Sequence, residues 1–208
     1  SDIRDELYRY ISRSRGRGVS LHFKSGPTTV ATINGFISKF EAAHFTKLPE
    51  IQLTISCPDP IFKGPSRVEF NDVPSMDNAG AFSIPDSLST SPHGCLIEVV
   101  YATDNNQYFS IQDKNSNYDW SFGVQANSIY GYLDIGWSIL ISSEKNNKYV
   151  IARQPGQTTG GIPLGDQVYQ FSIWPMIFPG DNPFYCQQLG QNKFSSFKLS
   201  YYPTYWGI

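Results

Sequence analysis

Glu50-Ile51-Gln52-Leu53-Thr54-Ile55-Ser56-Cys57-Pro58-Asp59-Pro60-Ile61-Phe62 is the stretch on which the reading of the chain turns. Ile51, Leu53, Ile55 and Cys57 alternate with Gln52, Thr54 and Ser56, the period of a strand with one buried face. Pro58 and Pro60 then remove two ladder donors, and each pushes the residue before it toward an extended conformation. The strand therefore stops at an interdomain elbow formed by Cys57, Pro58, Asp59 and Pro60. Cys57 lies on the apolar face and reads as a small core residue rather than a reactive thiol.

Working back toward the N-terminus, residues 2–13 form an amphipathic helical pattern in which Ile3, Leu7, Tyr10 and Ile11 share a face. Asp5 and Glu6 sit early in it and Arg9 and Arg13 late, as the helix dipole prefers, and Gly16 and Gly18 end it. Val19–Phe23 and Val30–Phe40 follow as strands, with Gly35 a candidate bulge. One helix on one three-stranded sheet is too little to close a core, so something outside this segment is expected to complete it.

Downstream of the elbow the helical signal vanishes. Short strands are expected at 67–70, 96–101, 108–112, 119–124, 137–142, 148–152, 168–174 and 194–201, separated by Gly-, Pro- and Asn-rich turns. Strands so spaced, without helices between them, predict a β-sandwich or jelly roll. The stretch Gln154–Gly165 has the composition of a mobile loop. The fold class is thus mainly β: a small α+β part over residues 1–63, then a sandwich over 64–208.

Composition agrees. Aromatic residues make up 15% of the chain and charged ones 16%, beside 17 glycines and 14 prolines, which suits short strands with large buried faces. A formal net charge of −2 argues against a nucleic-acid partner. No apolar run approaches the ~18 residues of a membrane-spanning helix, so membrane insertion is not expected. The 3 cysteines have no metal-type spacing.

Chemistry is sparse. His22, His44 and His93 lie far apart, and no Gly-x-Ser-x-Gly elbow accompanies them, although a triad assembles in space rather than in sequence. Asp113, Asn115, Asn117 and Asp119 imitate the start of a calcium loop, but Tyr118 stands where its glycine belongs and Val124 where its glutamate belongs. A polar hairpin loop explains them better. Neither a metal nor a cofactor is expected, nor an enzymatic activity. Trp120, Trp137 and Tyr118, in or beside loops, are the candidate ligand-binding residues, because exposed rings stack on sugars; the competing reading places such rings in the core, as for Trp174.

Three motifs, in order, carry a resemblance. Arg4-Asp5-Glu6-Leu7-Tyr8, the strand ending in Cys57-Pro58-Asp59-Pro60, and Trp174…Pro179-Gly180-Asp181-Asn182 with the terminal Trp206-Gly207-Ile208 are similar to those of the distal tail proteins of long-tailed phages. The resemblance implies a virion structural protein at the tail tip, assembled in the host cytoplasm, with a ring-forming N-terminal part and a galectin-like sandwich. Implied partners are further copies of itself in a hexameric ring, the tail-tube and tail-hub proteins, and peripheral receptor-binding proteins. Members of the family carry a β-rich segment ahead of the helix, so residues 1–63 are expected to correspond to the C-terminal portion of the ring-forming domain. A carbohydrate-binding module that touches host cell-wall glycan through Trp120 or Trp137 is the alternative. The sugar-binding constellation of true galectins is absent, so none of its residues carries over.

Overall fold

The computed structural model describes residues 6, 9–11, 17–42, 51–72, 79–103, 108–113, 121–125, 133–187 and 194–207. The chain divides into two compact units, Ser1–Pro65 with Tyr205–Ile208, and Ser66–Thr204.

In the first unit Glu6 and Arg9–Ile11 are helical, and most of the expected helix lies outside the described residues. Ile11 is buried whereas Tyr10 is exposed, so the apolar stripe is narrower than the sequence pattern predicts. The sheet is organised by β2 (Thr28–Ala42), with β1 (Gly18–Ser25) antiparallel on one edge and β3 (Ile51–Ser56) and β4 (Phe62–Lys63) on the other. The order is β1-β2-β4-β17, where β17 is Thr204–Tyr205, and β3 also pairs with β2. Ala31, Ile33, Gly35 and Ile37 share the buried face of β2. The register shift against β3 falls between Ile37 and Lys39 rather than at Gly35, where a bulge is expected from the sequence. Gly35 serves close approach instead: a Cβ there would lie 2.6 Å from Ser56 O and 2.9 Å from Cys57 Sγ. The apolar face is only partly covered, since Phe23 and Leu53 keep 37% and 41% of their surface exposed.

The second unit is a β-sandwich. One sheet has the order β13-β12-β11-β8-β16-β5, from Ile162–Pro163, Tyr149–Arg153, Ser138–Ser142, Leu96–Tyr101, Phe194–Tyr201 and Val68–Asp72. The facing sheet has the order β10-β9-β15-β6, from Ser121–Gln125, Tyr108–Asp113, Gly180–Gln187 and Ala79–Asp86. A two-stranded ribbon, β7 (His93–Gly94) with β14 (Met176–Ile177), lies apart from both sheets. Aromatic rings bind the layers: Phe82 of β6 lies 5.9 Å from Phe70 of β5 and 4.8 Å from Phe197 of β16, and Phe109 of β9 lies 5.7 Å from Phe194 of β16. Such pairs add ~1 kcal/mol each to the hydrophobic gain from burying them.

Two expectations need correction here. Residues 168–174 do not form a strand. Val168 makes an isolated bridge to Val124, and Gln170–Phe171 then turn, closed by Ser172 N–H donating to Tyr169 O at 2.9 Å. Nor is Gln154–Gly165 a loop throughout: Ile162–Pro163 is strand β13, with Ile162 paired to Ala152, and ahead of it Arg153 Nε donates to Gly160 O at 2.9 Å and Gln157 Nε2 to Thr159 O at 3.1 Å.

Candidate functional site

Of the residues singled out for ligand binding, Tyr118 and Trp120 lie outside the described residues. Trp137 is half-buried against the sandwich core, its carbonyl accepting from Tyr101 N–H at 2.9 Å. At the elbow, Cys57 and Asp59 are half-buried while Pro58 and Pro60 face solvent. His22 stands on the exposed face of β1, its Nδ1 3.1 Å from Thr32 Oγ1, and His44 lies outside the described residues.

His93 is the histidine with company. Burial surrounds it with Asp86, Ser89, Ser91 and Thr204, all themselves buried, and its ring packs 4.8 Å from that of Tyr201. His93 Nδ1 lies 3.1 Å from the Ser91 carbonyl, which can only accept, and 3.2 Å from Thr204 Oγ1. On the other side, Nε2 faces Asp86 Oδ2 at 3.7 Å, longer than a hydrogen bond. Asp86 Oδ1 meanwhile accepts from the N–H groups of Leu88 and Ser89. A hydroxyl, an imidazole and a carboxylate thus stand in line, but the hydroxyl is committed: Thr204 Oγ1 donates to Ser91 O at 2.9 Å and lies 2.6 Å from Ser91 Oγ. With Thr204 N–H donating to Ser89 Oγ at 3.1 Å, the cluster ties the end of the chain to the 86–93 turn. It works as a polar clamp.

The clamp carries a pH dependence. Burial lowers the pKa of His93 from 6.5, outweighing the Ser91 hydrogen bond and the Asp86 charge, which raise it. The unfolded chain then binds a proton that the folded one resists, so this contribution is complete above pH 6.5 and is lost as pH falls through the lower folded value. Thermal unfolding followed from about pH 7.5 to about pH 5 should show a falling midpoint, with a shallower fall in His93→Gln. Burial and the neighbouring Asp86 charge push the Tyr201 hydroxyl up to about 12, so it stays neutral throughout that range.

A second feature lies on the opposite, outward face of the β10-β9 pair. Residues 169–172 run beside β10, held by Tyr169 N–H to Gly123 O at 3.0 Å, Ile173 N–H to Ser121 O at 2.9 Å and Gly123 N–H to Ser172 Oγ at 3.0 Å. Between this rail and the outward side chains of β9 and β10 is an open cleft of about 370 Å³. Ser110, Gln112, Ser121 and Gln170 provide its polar groups, and Tyr169 and Phe171 its rings. None of these residues stands out in the sequence, because Tyr169–Trp174 alternates like an ordinary strand and the turn at Gln170–Phe171 lacks glycine and proline. Buried thiols add no reactive group: burial pushes Cys95 up to about 12 and raises Cys186 as well.

A small sheet with a helical segment, followed by a β-sandwich, is a fold shared with a phage tail protein of known structure. That structure is the crystal structure of the SPP1 Dit (gp 19.1) protein, described as a paradigm of the hub adsorption apparatus in phages infecting Gram-positive bacteria. It superposes with a TM-score of 0.67 over 96% of this chain and 71% of that one, at 12% sequence identity. No family model and no curated protein matches the sequence.

Proposed function

We propose that the chain is a non-enzymatic structural protein of a phage tail tip, acting as a distal tail protein. The observation that carries this reading is the likeness to SPP1 Dit across 96% of the chain, spanning both units rather than the sandwich alone. In this reading the first unit builds a hexameric ring between tail tube and tail hub, and the galectin-like sandwich stands outside it, where receptor-binding proteins attach. The partly covered face of the first sheet supports it, because Phe23 and Leu53 present apolar surface of the kind that subunit contacts bury.

Native mass spectrometry of the full-length gene product tests the proposal. A six-copy assembly, seen as a ring by electron microscopy, is the expected result. A strict monomer at about 50 μM, a concentration at which ring contacts should be occupied, would overturn it.

A further inference from the structure

We propose that the cleft between residues 169–172 and the β9–β10 pair is a binding site for a neutral saccharide. Its chemistry is specific. The groups lining it are hydroxyls, carboxamides and aromatic rings, with no charged side chain among the described residues, which disfavours phosphate, carboxylate or ammonium ligands. A pyranose has the matching character, with an apolar C–H face to lie on a ring and a rim of hydroxyls that both donate and accept.

Three observations point to an occupant. Ser110 is 2% exposed, yet its Oγ has no hydrogen-bond partner within the protein, and it lines the cleft. A buried hydroxyl left this way costs free energy that a ligand hydroxyl would recover. Phe171 is 88% exposed at the tip of the turn, and Tyr169 beside it is 42% exposed. The segment carrying these rings is pinned to β10 by main-chain bonds and by Ser172, so its backbone presents both rings from a fixed position. Aromatic side chains on a fixed backbone have only two torsions to lose when a ligand arrives. Finally, the volume of about 370 Å³ falls in the range of small-ligand sites. Ser110 sits on the floor with Gln112 one step along the same face of β9, Ser121 opposite Gln112 on β10, and the two rings at the rim. The site lies wholly in the second unit and does not depend on ring formation.

The test is titration of the whole chain, by calorimetry and by saturation-transfer NMR, with maltotetraose, chitotetraose, a galactose-containing and a rhamnose-containing tetrasaccharide, and with tri-galacturonate as the anionic control. Saturable binding of at least one neutral probe at about 1 mM or tighter is expected, with no saturation by the galacturonate. Phe171→Ala should weaken that binding about tenfold. Ser110→Ala should weaken it while leaving thermal stability unchanged or raised, since it deletes an unpartnered buried hydroxyl; a purely structural serine would show neither effect. The proposal is overturned if no neutral probe saturates at about 10 mM, if binding survives both substitutions, or if the cleft takes a proline-rich peptide and no sugar.

Discussion

Asn182→Leu is expected to destabilise the sandwich by about 4 kcal/mol, judged from several buried polar groups left unmatched at ~1–3 kcal/mol each with partial relaxation. Asn182 is 3% exposed and makes four hydrogen bonds. Its Oδ1 accepts from Phe178 N–H at 2.8 Å, and its two Nδ2–H groups serve the carbonyls of Phe178, Gly180 and Ile84 at 2.8, 3.0 and 3.1 Å, one N–H being shared between two of them. The side chain thus closes the turn that leads into β15 and ties it to β6. Leucine keeps the branching but places bulkier methyl groups where the amide made contacts of 2.8 Å, so crowding adds to the polar loss. Asn182→Asp keeps the acceptor but replaces the donor with a buried negative charge facing carbonyl oxygens, and should be no better tolerated. Urea unfolding monitored by tryptophan fluorescence measures both, and a change below about 1 kcal/mol for Asn182→Leu would mean that the turn is held by its backbone alone.

That asparagine also shows why some of the fold could be read in advance and some could not. Its motif, Trp174…Pro179-Gly180-Asp181-Asn182, supports the family resemblance, and the structure gives the motif a physical task. The strand it introduces was nevertheless illegible. Gly180 and Pro183 break the local pattern of β15, and only pairing with Ala79–Asp86 along its length and with β9 from Phe184 onward makes that segment a strand. By contrast, Leu96–Tyr101 announces itself, because Ile97, Val99 and Tyr101 take the core side and alternate with less buried neighbours. The cleft was hidden for a different reason. Alternation in Tyr169–Trp174 is equally compatible with a strand and with a turn pinned to an edge, and the hydrogen bonds that decide between them come from Gly123 and Ser121, nearly fifty residues away in sequence. Buried partners also reclassified His93: nothing local to Pro92-His93-Gly94 signals that Asp86 and Thr204 will close around it.

Gly94→Ala should cost more than 3 kcal/mol, well beyond ordinary overpacking of ~1–3 kcal/mol, because the atoms in the way are main-chain atoms. A Cβ at Gly94 would lie 2.2 Å from Ser143 O, 2.5 Å from Ser143 C and 2.7 Å from Glu144 Cα, and none of these can rotate aside. The two segments must therefore separate, yet they are clamped at the next residue. Cys95 N–H donates to Ser143 Oγ at 2.9 Å, and Ser143 N–H donates to Cys95 O at 2.9 Å. Separation forfeits both bonds at the buried Cys95, immediately ahead of β8. Ser143→Ala alone removes the side-chain half of the clamp and should cost about 1–2 kcal/mol. If the alanine at 94 acts by prising the segments apart, Ser143→Ala has little left to remove in its presence, and the double variant should fall short of the sum by about 1 kcal/mol. Strict additivity would show instead that the chain absorbs the new methyl group elsewhere, through the β7–β14 ribbon in which Gly94 faces Met176, and that the contact with Ser143 survives.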